Sequence, residues 1–156
     1  MRTDSRTVCE QPTAVVRGIV HRKDLGRWFG GAFDQVAAYL LHHGIAPEGF
    51  PFARYHVCPD GSFEVEAGFP VGNGIDGDGK VMPSSLPGGQ VVVAWHIGPY
   101  DELGEAYQSV DEWLKAAQGV RTGDSWEVYH DQPTGDPHFW RTEVIQPFDL
   151  VPAGTR

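Results

Sequence analysis

An internal repeat constrains the fold of this chain more than any other feature of its sequence. The Arg-Tyr-His run at residues 54–56 is matched by Val-Tyr-His at residues 128–130, 74 residues later. Pro70 is matched by Pro147, 77 residues later. Spacings that agree this closely along most of the chain indicate a duplicated structural unit.

Each copy of the repeat predicts the same order of elements, which is strand, helix, strand, strand. Strands are predicted from β-branched or alternating runs, and helices from apolar residues at steps of three and four. In the first copy these segments are 14–20, 28–41, 52–57 and 63–69; in the second they are 90–97, 101–118, 125–129 and 139–145. We therefore predict an α+β fold of two β-α-β-β units, with two helices on an antiparallel sheet.

The segment between the two copies is rich in Gly, Pro, Asp and Ser, which is typical of a surface linker. We therefore predict one domain at 13–148, divided into repeat 1 (about 13–71), a linker (72–89) and repeat 2 (about 90–148). The flanking segments 1–12 and 149–156 are predicted to be tails.

Charge and composition argue against several classes of function. The 156 residues include 12 Lys and Arg against 21 Asp and Glu, a net charge of −9, which argues against direct nucleic-acid binding and against an anionic membrane surface. No apolar run approaches the roughly 20 residues of a membrane-spanning helix, and the polar start lacks the apolar stretch of a signal peptide. We therefore expect a cytoplasmic protein in which Cys9 and Cys58 are free thiols.

Glu127 is the residue whose surroundings most favour a chemical role. It lies in the short predicted strand Ser-Trp-Glu-Val-Tyr, where it shares a face with Tyr129 and, through the repeat, has Tyr55 as a counterpart neighbour. A carboxylate among aromatic rings could bind a lipophilic cation, or act as a general acid or base. A solvent-exposed Glu127 on the outer face of the sheet is an equally weighted alternative from the strand pattern alone.

The histidines and serines give no comparable signal. His56 and His130 are related by the repeat, but no HExxH pattern or cysteine ligand set accompanies them, so we predict no metal site. No Gly-rich dinucleotide fingerprint, complete calcium loop or serine nucleophile elbow occurs, and we predict no cofactor.

Residues 86–100, which end in His-Ile-Gly-Pro-Tyr, resemble the signature of GyrI-like proteins. This family includes the effector-binding domains of many AraC-type and MerR-type regulators. The Trp-Leu pair at 113–114, the Glu-Val-Tyr run at 127–129 and the last strand closing at Pro147 fit the same pattern. The resemblance extends over about residues 13–148.

The resemblance implies an SHS2-type fold in which two helices frame a central ligand cleft over the sheet. It also implies that Glu127 lies in this cleft and contacts cationic or planar lipophilic compounds. Tyr100 is expected to pack structurally at the start of a helix. The predicted ligand-binding residues are Glu127, Tyr55, Tyr129, Trp95, Trp140, Tyr107 and Phe33.

Since the sequence contains no helix-turn-helix segment, it resembles a stand-alone member of the family. We expect it to bind a hydrophobic or cationic small molecule. The first alternative is a hydrolase that adds water to cyclopropanoid genotoxic natural products, with Glu127 and a tyrosine, such as Tyr55, as acid and base. The second is a protein partner, in a role like that of a gyrase inhibitor, and the sequence leaves the oligomeric state open.

Overall fold

The computed structural model of the chain describes residues 2–151, which form two compact units. The N-terminal unit consists of residues 9–88. The C-terminal unit consists of residues 89–151 together with residues 2–8, from the start of the chain. Neither unit contains, within the described residues, a helix long and apolar enough to span a membrane.

The N-terminal unit is a four-stranded antiparallel sheet with one helix packed on it. Its strands lie in the order β3-β4-β2-β5. Their bounds are β2 Gln11–Val20, β3 Phe52–Val57, β4 Phe63–Pro70 and β5 Met82–Leu86, and the helix α1 spans Leu25–His42.

Helix α1 is held on its sheet by one apolar stripe. Val36 and Leu40, four residues apart, are buried on the same face and pack with Ala14 of β2 and with Val71. The helix ends at His42, and Gly44 follows in the left-handed region, with φ of +66°. This is the helix predicted from the spacing of apolar residues.

The C-terminal unit has the same plan. Its strands lie in the order β1-β6-β9-β8, and the short β7 pairs with the end of β9. Their bounds are β1 Thr3–Val8, β6 Gly89–Ile97, β7 Gly119–Arg121, β8 Trp126–Tyr129 and β9 Arg141–Leu150, and the helix α2 spans Gly104–Ala117.

Helix α2 packs on the sheet through a second apolar stripe. Its buried residues Ala106, Val110 and Leu114 belong to one cluster with Ala94 of β6 and Val144 of β9. The α+β prediction and the repeated strand-helix-strand-strand order are therefore confirmed.

Three strands lie where the sequence predicted none. β1 occupies part of the segment 1–12 that was predicted to be a tail, β5 lies in the predicted linker 72–89, and β7 follows α2. β1 and β5 are edge strands, so a tertiary partner on one side defines each of them. The four central residues of β1 are exposed, so it has no apolar alternation from which a strand could be predicted.

The edge strands are exchanged between the two units. β1 precedes β2 in the chain but pairs with β6, whereas β5 precedes β6 but pairs with β2. The C-terminal sheet therefore includes β1, which lies just before β2 in the chain. The N-terminal sheet includes β5, which lies just before β6.

Neighbouring leucines near the end of α1 test the packing of this helix. Leu40 is 2% exposed and Leu41 is 84% exposed. We expect Leu40→Ala to lower the free energy of unfolding by about 2–5 kcal/mol, because it removes buried methyl groups and leaves a cavity. Leu41→Ala should change it by less than about 0.5 kcal/mol. Urea denaturation followed by circular dichroism measures both, and equal losses would contradict this packing.

Candidate functional site

Glu127 lies on the face of the C-terminal sheet that carries α2. In the antiparallel register Glu127 of β8 pairs with Val144 of β9, which pairs with Ala94 of β6. Cross-strand partners point to the same face of a sheet, and α2 packs on Ala94 and Val144. The side chain of Glu127 is therefore directed to the helix side.

The Glu127 carboxylate is buried and hydrogen-bonded by two phenols. Glu127 is 6% exposed. Its Oε1 accepts a hydrogen bond from Tyr129 Oη at 2.7 Å, and its Oε2 accepts one from Tyr107 Oη. Tyr129 lies two residues further along the same strand, on the same face, whereas Tyr107 is supplied by α2. Such donors offset the cost of removing a carboxylate from water.

Two further rings extend this cluster beyond the carboxylate. The Tyr100 ring lies 5.5 Å from the Tyr129 ring, at 61°, and 4.8 Å from the Trp140 ring, at 35°. Trp140 is held by its indole Nε1, which donates to the carbonyl oxygen of Thr134 at 3.0 Å. We call Glu127, Tyr107, Tyr129, Tyr100 and Trp140 the glutamate cluster.

A turn at the end of β6 positions Tyr100. The buried imidazole of His96 donates from Nε2 to the carbonyl oxygen of Pro99 at 3.0 Å. Gly98, between them, has φ of +144°, and a Cβ there would lie 3.3 Å from His96 Nε2 and 3.1 Å from Glu102 Oε2. A larger residue at position 98 would therefore be strained and crowded, which accounts physically for the His-x-Gly-Pro-Tyr pattern.

Electrostatics connect Tyr100 with the carboxylate. Burial raises the pKa of the Tyr100 phenol above its usual value, and the negative charges of Asp131 and Glu127 raise it further. Asp131 is held nearby by Arg141, whose guanidinium and backbone N–H both donate to its carboxylate, and these contacts lower the pKa of Asp131.

Comparison with known proteins identifies the family. Residues 5–149 match the GyrI-like small molecule binding domain. The chain belongs to the GyrI-like family. No curated protein gives a significant match.

Solved structures share this GyrI-like fold at low sequence identity. The EcmrR C-terminal domain superposes with a TM-score of 0.83 at 21% identity, over 96% of this chain and 98% of that one. A hydrolase from Listeria innocua gives 0.69 at 14% identity, over 95% and 92%. SAV2435 bound to tetraphenylphosphonium gives 0.64 at 12% identity, over 96% and 94%.

Within this GyrI-like domain, four of the predicted ligand-binding residues lie in the glutamate cluster. They are Glu127, Tyr129, Tyr107 and Trp140. Tyr100 belongs to the same cluster, although the sequence favoured a purely structural role for it. Its place directly after the Gly98-Pro99 pair was the available signal in the sequence, because Gly-Pro pairs mark turns.

Trp95 is not brought together with Glu127. It pairs with Glu143, and this pair is the neighbour of the pair of Ala94 and Val144 along the two strands. Side chains of neighbouring pairs point to opposite faces, so Trp95 points away from α2. There its ring lies 4.7 Å from the ring of His130. The buried Glu143 accepts hydrogen bonds from His130 Nε2 at 2.7 Å and from Arg6 Nη2 at 3.0 Å.

Phe33 and Tyr55 belong to an aromatic cluster of the N-terminal unit. Phe29 of α1 contacts the Phe33 ring at 5.9 Å and the Tyr55 ring at 6.1 Å. The Tyr55 ring also lies 5.9 Å from that of Phe63. Both predicted residues therefore take part in ring packing within their own unit, and their role in ligand binding stays a prediction.

No metal-binding group is found among residues 2–151, where no three His, Cys, Asp or Glu side chains lie close enough together to hold an ion. The adjacent His42 and His43 have their rings 5.2 Å apart and nearly perpendicular. His130, considered above as a candidate ligand, is hydrogen-bonded to Glu143.

The pKa of Tyr100 provides a test of the geometry of the glutamate cluster. We expect Glu127→Gln to lower this pKa, because a nearby negative charge opposes ionisation of a phenol. Asp131→Asn should act in the same direction, and burial should keep the pKa above its usual value in both variants. NMR titration of protein labelled at tyrosine Cζ measures the change, and Tyr100→Phe assigns the signal. An unchanged pKa in both variants would rule out this arrangement.

Proposed function

We propose that this small-molecule-binding domain takes up lipophilic organic cations at the glutamate cluster. The buried carboxylate of Glu127, hydrogen-bonded by Tyr107 and Tyr129, is the observation that carries the proposal. A carboxylate that two phenols stabilise in a dry setting supplies a fixed negative charge. A cation that has lost part of its hydration shell is the complementary ligand.

Aromatic rings beside this charge favour an organic cation over a small hydrated ion. Tyr100 and Trp140 pack together next to Tyr129, and all three are half-buried rather than fully enclosed. Ring faces attract cations and also provide apolar area for hydrophobic substituents. The half-buried rings leave surface that a ligand can cover.

The comparison with SAV2435 supports the same ligand class. That protein has been solved with tetraphenylphosphonium, a permanent cation with four aromatic arms. A permanent cation cannot be neutralised by proton loss, so its charge stays available for attraction to the Glu127 carboxylate and to ring faces. Tetraphenylphosphonium is therefore the probe with which to test this chain.

Isothermal titration with tetraphenylphosphonium tests the role of Glu127. Glu127→Gln keeps the shape of the side chain but removes its charge, and we expect Kd to rise about thirtyfold or more. Glu143→Gln is the matched control, because Glu143 is as buried as Glu127, at 6% exposure, but lies on the opposite face of the same sheet. It should leave Kd within about threefold of the wild type.

The neutral triphenylphosphine oxide separates charge recognition from general hydrophobic binding. We expect it to bind the wild-type protein much more weakly than tetraphenylphosphonium does, and Glu127→Gln should reduce this difference. Equal loss of affinity in the Glu127 and Glu143 variants, or no saturable binding to folded wild-type protein, would refute the proposal.

A hydrolase is the second candidate, favoured by the hydrogen bond between the Tyr107 phenol and the Glu127 carboxylate. In such a pair the carboxylate can accept a proton from a water molecule. The oxygen of this water attacks a strained carbon of the cyclopropane ring, and one ring bond breaks. The Tyr107 phenol would supply a proton to a carbonyl oxygen of the substrate that is conjugated with the cyclopropane ring, so the product is substrate plus one water. A hydrolase from Listeria innocua shares the fold.

Mass spectrometry of a cyclopropanoid natural product incubated with substoichiometric protein decides between the two candidates. Hydrolysis predicts many equivalents of a water adduct, lost in Glu127→Gln and reduced in Tyr107→Phe. Adduct formation at the spontaneous rate with all three proteins would exclude hydrolysis of this substrate class, and the cation-binding proposal would stand unaffected.

A further inference from the structure

The outer edge of β1 is an exposed strand edge of the C-terminal sheet. Strand β1 lies at the end of the order β1-β6-β9-β8, and its four central residues are exposed. Among residues 2–151, the strand that pairs with β1 is β6. An exposed edge presents a row of backbone donors and acceptors that can pair with another strand.

The register with β6 determines which backbone groups point outward. Trp95 N donates to Arg2 O at 2.9 Å, so the backbone groups of Arg2 face β6. In an antiparallel pair these groups alternate in direction along a strand. The backbone N–H and C=O groups of Asp4 and Arg6 therefore also face β6. The backbone groups of the residues between and beside them point to the outer edge; these residues are Thr3, Ser5 and Thr7.

The charged side chains of β1 are self-complementary. Asp4 and Arg6 lie two residues apart and point to the same face of the sheet. If two copies of β1 run antiparallel with Ser5 opposite Ser5, Asp4 of each copy lies opposite Arg6 of the other. Thr3 then lies opposite Thr7, so the residues with outward backbone groups form the hydrogen-bonded pairs of this register.

We propose that β1 pairs with β1 of a second copy of this chain, antiparallel and centred on Ser5, to form a symmetric dimer. The pairing extends each C-terminal sheet across a twofold axis. Within one chain Arg2 contacts Asp4 at 2.6 Å and Arg6 contacts the buried Glu143 at 3.0 Å. In the dimer Asp4 also faces Arg6 of the second copy. On each side of the twofold axis, Arg2 and Asp4 of one copy then form a row with Arg6 and Glu143 of the other, and the charges in this row alternate in sign.

A comparison with strand β5, at the end of the N-terminal sheet, favours β1 as the strand that pairs. The edge strand of the N-terminal unit, β5, contains Pro83, which has no backbone N–H to donate. β1 contains no proline, so every residue of it keeps a backbone donor.

Sedimentation velocity over a range of protein concentrations tests the dimer. We expect the wild type to change reversibly from monomer to dimer as concentration rises. Ser5→Pro removes an outward N–H from each copy and leaves the donors that face β6, so it should raise the dissociation constant at least about tenfold. Ser5→Ala keeps this N–H and is the matched control, expected to stay within about twofold of the wild type.

Disulfide crosslinking tests the register independently. In a background with Cys9→Ser and Cys58→Ser, Ser5→Cys places two thiols across the twofold axis, with Cα atoms about 5.5 Å apart, within disulfide range. Thr3→Cys places their Cα atoms about 14 Å apart, which is too far. We expect an oxidised dimer from Ser5→Cys only.

Three outcomes would overturn the proposal. They are a wild type that stays monomeric at every concentration, a dimer that Ser5→Pro leaves unchanged, and crosslinking of Thr3→Cys as fast as Ser5→Cys. Urea denaturation of Ser5→Pro shows whether the variant keeps the wild-type fold. Because none of these measurements uses a ligand, they are independent of the cation-binding proposal.

Discussion

The hydrogen bonds that Glu127 accepts from Tyr107 and Tyr129 are the interaction on which the site of this protein depends. A carboxylate with 6% exposure is costly unless donors replace the water that it has lost. One donor comes from the same strand and the other from α2, so the carboxylate ties the helix to the strand on which it lies. The apolar packing of α2 on Ala94 and Val144 keeps this arrangement away from water.

The two units use one framework for different surfaces. Each consists of a four-stranded antiparallel sheet and a helix, and in each the helix meets aromatic side chains from neighbouring strands. In the N-terminal unit Tyr55 packs among phenylalanines, whereas in the C-terminal unit its counterpart Tyr129 donates to a carboxylate. The same framework therefore carries a carboxylate on the helix side of the C-terminal sheet and packed aromatic rings on the helix side of the N-terminal sheet.

The helices and the strands of the repeated order could be predicted from the sequence, whereas β1 and β5 could not. A strand or helix that buries one face must repeat its apolar residues with the period of its structure, as α1 and β4 do. β1 and β5 lie at sheet edges and are defined by hydrogen bonds to a partner far along the chain, which leave no such period. For the same reason, the segments predicted to be a tail and a linker contain the strands β1 and β5, each of which pairs with a distant strand. At the site, the Glu-x-Tyr spacing correctly placed Glu127 and Tyr129 on one face, but the strand pattern could not decide which face was buried.

The sequence by itself determined the duplicated β-α-β-β order, the family, and Glu127 as the leading candidate, because repeats, periodicity and motif spacing are local properties of the chain. Only the tertiary structure decided that Tyr107 and Tyr129 both donate to Glu127, and that Tyr100 packs with Trp140. It also placed Trp95 on the opposite face, with His130 and Glu143. These outcomes depend on strand register and on how a helix lies across a sheet. A shift of one residue in register reverses the face of every side chain in a strand, and local sequence patterns do not encode that choice.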